Sequence, residues 1–136
     1  MGLDQFLQPG YQQGPLRKLF VQNMQHRKLN NVETVLGTFD DPKLPANALD
    51  LVILVDVYHE FSEPQKMLRG IRAALKPDGR LVLLEYRGED PAVPIRPEHK
   101  MTVAQVRAEL EPEGYRVDRV LEDLPRQHIL IFKKTP

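Results

Sequence analysis

Residues 50–61 form the stretch DLVILVDVYHEF, a continuous apolar run that ends in an acid, a tyrosine, a histidine and a second acid. A run without polar alternation is typical of a parallel strand that helices cover on both faces, so we expect a central buried strand here. In open α/β sheets, ligands bind just beyond the carboxyl ends of such strands. The search for a functional site therefore begins at Asp56, Tyr58, His59 and Glu60.

The composition fits one folded domain, because 41% of the 136 residues are hydrophobic and suffice for a core. Basic and acidic residues number 19 each, so no net charge draws the chain to nucleic acid or to an anionic membrane. The chain contains no cysteine, which excludes disulfides and thiolate chemistry. Without a leader-like start or an apolar run of about 20 residues, the sequence predicts a soluble, cytoplasmic protein.

The region before the apolar run predicts an arm and a helix at 1–30, followed by the main domain at 31–136. Residues 1–15 lack periodicity and carry glycines and prolines, which is typical of an irregular arm. An amphipathic helix is predicted from residue 16 to about residue 30 by apolar residues on one face: Leu16, Leu19, Phe20 and Met24. Residues 32–36 form a short β-type run, and a turn-rich loop follows at 37–45.

The region after the apolar run predicts a helix and a second buried strand. Ser62 and Gln65 have the spacing of a capping box at the start of this helix. The sequence KPDG at 76–79 predicts a sharp end to the helix, and RLVLLEY at 80–86 predicts the strand. Strand, helix and strand at this spacing predict a parallel, right-handed crossover unit.

The last third of the chain predicts a long loop, one more helix and two strands. The proline-rich loop at 87–100 has no period, and loops of this length are more often functional than idle. Thr102 and Gln105 again have capping-box spacing, before a helix at 103–110. The strands predicted at 115–121 and 128–133 are close enough in sequence to pair antiparallel, and His128 is interpreted as a strand residue.

Three stretches in this order resemble the C-terminal half of a class I S-adenosylmethionine-dependent methyltransferase. They are the acid-rich loop before DLVILVDVYHEF, the helix that ends in LKPDGRLVLLE, and the closing helix with its two strands. The resemblance covers roughly residues 31–133. It implies an α/β, truncated Rossmann-like methyltransferase fold, with a mostly parallel sheet and a C-terminal antiparallel strand pair. It also implies S-adenosylmethionine as the cofactor and an unknown small molecule as the methyl acceptor.

The sequence departs from this family at its start. The family's glycine-rich turn of the ExGxGxG type and the strand whose acid holds the cofactor ribose have no counterpart in this sequence. The resemblance places the absent strands between the runs at 32–36 and 50–55, which leaves the second run with an exposed edge. Because exposed apolar edges pair with other chains, we expect a homodimer that covers this edge, and impaired catalysis by the isolated chain. The alternative is a non-catalytic module that uses the edge to bind itself or a partner.

The resemblance places two groups of residues beside the cofactor: Thr38, Phe39 and Asp40, and Asp56, Val57 and Tyr58. In the first group Phe39 is expected against the adenine ring and Asp40 at its exocyclic amine, although the family often has an acid where Thr38 stands. A turn whose aspartates only cap backbone amides is the alternative. In the second group Asp56 is expected beside the methionine portion, with a purely structural aspartate as the alternative.

The candidates for substrate chemistry are His59, Glu60, Glu85 and His99. Methyl transfer depends mainly on alignment, which contributes up to about 7–11 kcal/mol in favourable models. A base is needed when the acceptor must lose a proton, and the unperturbed pKa of histidine is about 6.5, so His59 is the candidate base. Glu60 is expected either to orient His59 or to bind a cationic acceptor. The alternative is that both residues only satisfy backbone groups at the start of the helix. Glu85 and His99 are expected to face the same crevice, His99 as a substrate contact. Since neither HxxxH nor HExxH occurs, no metal site is expected.

Overall fold

The computed structural model describes the backbone of residues 13–136 and the side chains of residues 17–136. Most of the arm predicted at 1–15 therefore lies outside the described residues. The helices are α1 (Gln13–His26), α2 (Pro64–Ala74) and α3 (Val103–Leu110), and the strands are β1 (Leu49–Val55), β2 (Leu75–Arg87), β3 (Lys100–Met101), β4 (Tyr115–Leu121) and β5 (Gln127–Lys134). No helix within residues 13–136 has the length and apolar content to cross a membrane.

The strands form one sheet in the order β1-β2-β5-β4, with the two-residue β3 beside the end of β2. β1 runs parallel to β2 and is joined to it by α2, which confirms the predicted strand, helix and strand unit. β5 runs antiparallel to both β2 and β4, which confirms the antiparallel C-terminal pair. Parallel pairing is therefore confined to β1, β2 and β3, and the sheet changes direction at β5.

The core forms where α2 and α3 pack against the middle of the sheet. Facing residues of β2 and β5 are fully buried there, including Leu83 opposite Leu130 and Leu81 opposite Phe132. The helices contribute a stripe of residues with 0% exposure: Leu68 and Ile71 from α2, and Val106 and Leu110 from α3. Because these side chains sit at helical and strand spacing, the apolar pattern of the sequence accounts for this half of the fold.

β1 is the edge strand of the described sheet, and only one of its faces is buried. Leu51, Ile53 and Val55 are 48%, 52% and 55% exposed, whereas Val52 and Leu54 are buried. The expectation of a central strand covered on both faces is therefore wrong. Apolar content shows that a strand is able to be buried, but burial depends on whether another element covers it. The exposed edge that the family resemblance implied is present among the described strands.

Two other local predictions also differ from the structure. Residues 32–36 are not a strand, because no described strand lies on the free side of β1 to pair with them. Residues 76–79 belong to β2 rather than to a separate turn: the pairing shifts from Leu49 with Leu75 to Leu51 with Arg80, so β2 bulges. A Cβ on Gly79 would lie 2.9 Å from the Leu49 carbonyl oxygen, so this bulge requires a glycine.

The two predicted capping boxes have opposite outcomes. At α3, the Thr102 hydroxyl accepts from the Gln105 N–H and the Gln105 side chain accepts from the Thr102 N–H, as predicted. At α2, the cap residue is Glu63, which makes no side-chain cap bond, and Ser62 is outside the helix. Pro64 occupies the first turn of α2, where its missing N–H leaves one fewer donor to satisfy.

Arg72 of α2 ties the helix to the far end of the sheet through Gly114. Its Nε donates to the Gly114 carbonyl oxygen at 3.0 Å, and its Nη2 donates to the Thr135 carbonyl oxygen at 2.7 Å. Gly114 has a φ of 86°, in the left-handed region, and a Cβ there would lie 2.5 Å from Arg72 Nε. The backbone conformation therefore favours glycine, and a larger residue would also have to displace the Arg72 side chain from its hydrogen bonds.

We expect Gly114→Ala to lower the free energy of unfolding by more than about 1–2 kcal/mol, the usual penalty of a left-handed alanine. Part of the loss should come from displacing Arg72, so the same change made in an Arg72→Ala background should be less destabilising. Urea unfolding of the four proteins gives both values. Equal losses in the two backgrounds would show that the contact with Arg72 is not involved.

Candidate functional site

The carboxyl end of β1 turns sharply at Asp56, which has a positive φ of 51°. Its N–H donates to the Leu84 carbonyl oxygen at 2.9 Å, which holds the turn against β2. The Gln127 amide donates to both carboxylate oxygens of Asp56, at 2.8 and 2.6 Å. No motif in the sequence marks Gln127, because it reaches this edge only through the sheet register that pairs it with Tyr86.

His59 lies in the short 3₁₀ turn at Tyr58–Glu60, close to the carboxyl end of β2. Its Nδ1 is 2.7 Å from Oε2 of Glu85, and its backbone N–H donates to Oε1 at 3.3 Å. Glu85 is fully buried, and the His59 side chain is 8% exposed. Burial raises the pKa of Glu85, and the hydrogen bonds from His59 oppose that rise. When Glu85 is ionised, its Oε2 accepts from the N–H at Nδ1 of His59, and in that tautomer of the neutral ring Nε2 has a lone pair.

Nε2 of His59 faces two further candidates from the sequence. It lies 3.3 Å from Nδ1 of His99 and 3.9 Å from Oε1 of Glu60. The two imidazole rings are nearly perpendicular, with centroids 5.3 Å apart. His99 reaches this position because the loop after β2 turns back and adds β3 beside the end of β2. The structure thus brings His59, Glu60, Glu85 and His99 together, and their roles stay predictions.

A cavity of about 320 Å³ opens beside this cluster, between the turn at 58–60 and α3. Tyr58 forms one wall, is 1% exposed and donates its hydroxyl to Glu109 at 2.6 Å. Burial and the neighbouring Glu109 raise the pKa of Tyr58 far above its ordinary value, so its hydroxyl stays neutral. The other lining residues are His59, Phe61, Pro64, Pro97, Glu98, Lys100, Met101, Gln105 and Glu109. Polar and charged side chains make up more than half of this lining, and the apolar remainder consists of Phe61, Pro64, Pro97 and Met101.

Among the described residues, the hydrogen bonds of the loop that was expected at the adenine ring stay within the loop. The Thr38 hydroxyl donates to Asp40 at 2.8 Å, and the Thr38 N–H donates to the Asp41 carbonyl oxygen. Phe39 is 60% exposed, so its ring is free to stack on another group. Within residues 13–136, no hydrogen bond links this loop to Asp56, Val57 or Tyr58. Its role at a cofactor stays a prediction, because a capped turn makes the same contacts.

A second group of carboxylates around His128 anchors the loop that carries His99. His128 is 4% exposed, with Nδ1 2.5 Å from Glu122 and Nε2 2.6 Å from Glu89. Glu89 also accepts from the Val103 N–H at 2.7 Å, so it joins the loop to the start of α3. Arg87 holds Glu122 in place at 2.5 Å. His128 is a strand residue, as interpreted, but its two carboxylate partners were not foreseen, because they come from different elements.

These contacts lower the pKa of both carboxyl groups. Burial opposes ionisation, but hydrogen bonds from Val103 and His128 outweigh it at Glu89, and those from Arg87 and His128 outweigh it at Glu122. A carboxyl whose pKa is lowered by folding stabilises the fold above its unfolded-state value, here near 4.5. That stabilisation is lost as pH falls below this value.

We expect Glu89→Gln and Glu122→Gln to be less stable than the wild type at pH 6–7, and to approach it as pH falls through about 4.5. The reason is that protonation removes from the wild type the ionic contacts that the amides already lack. Thermal unfolding from pH 3 to pH 7 measures the difference. Glu98→Gln is the control, because Glu98 is 60% exposed and its pairing with Arg96 is 4.0 Å long. A difference between wild type and variants that is independent of pH would contradict the assignment.

The comparisons with known proteins identify the family. Residues 15–83, just over half of the chain, match the family model of the methyltransferase domain. The chain therefore belongs to the methyltransferase domain family. An uncharacterised methyltransferase, YcgJ of Bacillus subtilis, is 31% identical over 70 residues, which are 51% of this chain and 28% of that protein.

Solved structures show the same fold. A SAM-dependent methyltransferase from Aquifex aeolicus is 25% identical with a TM-score of 0.82, over 90% of this chain and 65% of that one. An S-adenosylmethionine-dependent methyltransferase from Mesorhizobium loti is 15% identical with a TM-score of 0.68, over 86% and 76% of the two chains. The chain thus spans less than two thirds of the first relatives that it matches. The predicted α/β Rossmann-like methyltransferase fold and its antiparallel C-terminal strand pair are confirmed.

Proposed function

We propose that this chain takes part in S-adenosylmethionine-dependent methyl transfer to a small molecule in the cytoplasm. The observation that carries the proposal is the buried Glu85 and His59 pair beside Asp56, at the carboxyl ends of two parallel strands. Ligands bind at this position in open α/β sheets. Membership of the methyltransferase domain family and the similarity to the SAM-dependent methyltransferase from Aquifex aeolicus favour this cofactor.

The residues proposed for the cofactor have suitable chemistry. Asp56 accepts two hydrogen bonds from Gln127, and a carboxylate has room for further donors, such as the amino group of the methionine portion. Val57 follows Asp56 and packs against the core, and the exposed ring of Phe39 is free to stack on adenine. When bound, the cofactor supplies a methyl group already activated on a sulfonium. The chain has no glycine-rich ExGxGxG turn, so we expect its affinity for the cofactor to be weak.

The acceptor is proposed to enter the cavity beside His59. Nε2 of His59 has a lone pair, so it takes the proton of an acceptor that must lose one, which contributes about 10²–10⁴-fold. Glu85 holds the ring through Nδ1 and balances the charge that forms. Glu60 and His99 border the same nitrogen, where they are placed to contact the acceptor.

We expect S-adenosylhomocysteine to bind this chain in isothermal titration, with a dissociation constant near or below about 1 mM. Asp56→Asn should weaken binding at least about tenfold, since asparagine tolerates the left-handed backbone but removes the charge. Asp50→Asn is the control, because Asp50 lies at the other end of β1 and is 73% exposed. Absence of heat at millimolar ligand, or equal affinity in both variants, would contradict the cofactor site.

A second function is favoured by the exposed face of β1. About half of the surface of three apolar residues of β1 is exposed: Leu51, Ile53 and Val55. β1 is an edge strand, and no described strand pairs with its free side. Apolar edges of this kind pair with other chains. We propose that a second copy of the chain covers this edge, as a homodimer. A non-catalytic module that associates through the same edge is the alternative to the enzyme.

We expect sedimentation velocity to show a dimer at micromolar concentration, and Ile53→Lys to shift it to monomer, because a lysine on the pairing face must stay hydrated. Leu29→Lys is the control, since Leu29 is 46% exposed but lies outside β1. A compact wild-type monomer, or a dimer that both variants retain, would contradict association through β1.

A further inference from the structure

We propose that His59, Glu60 and His99 form a binding site for a divalent transition-metal ion of the zinc type. The site lies between the 3₁₀ turn after β1 and the loop before β3. The proposal rests on the geometry of these side chains and does not require that the chain transfer methyl groups. It therefore goes beyond the function proposed above.

The distances between the ligand atoms fit a tetrahedral ion. Zinc bonds to histidine nitrogen are about 2.0–2.1 Å long, so two nitrogens on one tetrahedral ion lie about 3.3–3.4 Å apart. Nε2 of His59 and Nδ1 of His99 are 3.3 Å apart. One ligand atom from each of the three residues lies within 4.8 Å of the others. Oε1 of Glu60 lies 3.9 Å from Nε2 of His59, slightly farther than two ligand atoms on one tetrahedral ion. Because the Glu60 side chain is 48% exposed, its carboxylate is free to move closer.

Glu85 prepares His59 to act as a ligand. Metal-binding histidines almost always donate their other N–H to a carboxylate or a carbonyl oxygen, which fixes the tautomer and the ring orientation. Glu85 is fully buried and lies 2.7 Å from Nδ1 of His59, so the lone pair of Nε2 is directed at His99 and Glu60. A buried carboxylate in this position is an observation independent of the three-residue cluster.

The donor set selects the kind of ion. Imidazole nitrogens suit zinc and its neighbours, whereas magnesium and calcium prefer oxygen ligands. Two histidines and one carboxylate supply three ligands, and reactive zinc sites keep a fourth position open for water or substrate. His59 also lines the cavity, so an exogenous ligand could reach that position.

Metal binding and proton abstraction exclude each other at His59. Both use the lone pair of Nε2, because Nδ1 is engaged by Glu85. A bound ion would therefore prevent His59 from acting as the base proposed above. The binding experiment below measures the ion alone, so its result is separate from that of the cofactor titration.

The test begins with protein from which metal has been removed by a chelator. Isothermal titration with zinc then measures the affinity, and metal analysis after dialysis measures how many ions each chain retains. We expect one zinc ion per chain, and no comparable binding of magnesium. His99→Ala should weaken zinc binding more than tenfold, because it removes one ligand from an exposed loop. His26→Ala is the matched control, since His26 is an exposed histidine outside the cluster and should leave the affinity unchanged.

Glu85→Gln tests the positioning role, because it leaves all three ligands in place. We expect a 10- to 100-fold loss of zinc affinity, the usual effect of removing an outer carboxylate partner. Circular dichroism of each variant confirms that the fold is retained, and Glu60→Gln provides a second ligand variant if one of them unfolds. The proposal is overturned if the wild type binds no zinc, or if His99→Ala and His26→Ala bind it equally.

Discussion

The hydrogen bonds between Glu85 and His59 are the interaction on which the site depends. An ionised carboxyl group is expensive to bury without a partner, and Glu85 is fully buried at the end of β2. His59 supplies two hydrogen bonds, from its ring and from its backbone N–H. The pair therefore fixes the turn after β1 against β2, and it leaves Nε2 of His59 facing His99 and Glu60.

The loop between β2 and α3 brings His99 to that atom. It is held at one end by Glu89, which contacts both His128 and the start of α3, and at the other by β3, which pairs with β2. An unanchored proline-rich loop would hold an exposed histidine in many positions. The carboxylates around His128 are thus part of the site's construction, although they lie outside it.

The edge strand β1 connects the hydrophobic core to the proposed cofactor site. Its buried residues belong to the core, while Leu51, Ile53 and Val55 face outward with no described element over them. The same strand ends at Asp56, where the cofactor is proposed to bind. Any chain that covers this edge would therefore lie next to the proposed site, so association and cofactor binding are best measured on the same preparation.

The sequence by itself determined the strands and helices of the core, the capping box at Thr102 and the antiparallel ending, because these follow from local periodicity and from motifs. It did not determine that residues 32–36 are irregular or that β1 is exposed, since both depend on which strands are present to pair. Only the tertiary structure placed Gln127 on Asp56 and His99 beside His59, because sheet register and loop return join residues far apart in the chain. The HxxxH and HExxH spacings detect ligands on one helix, whereas the ligands proposed here come from the turn at 58–60 and from the loop that carries His99.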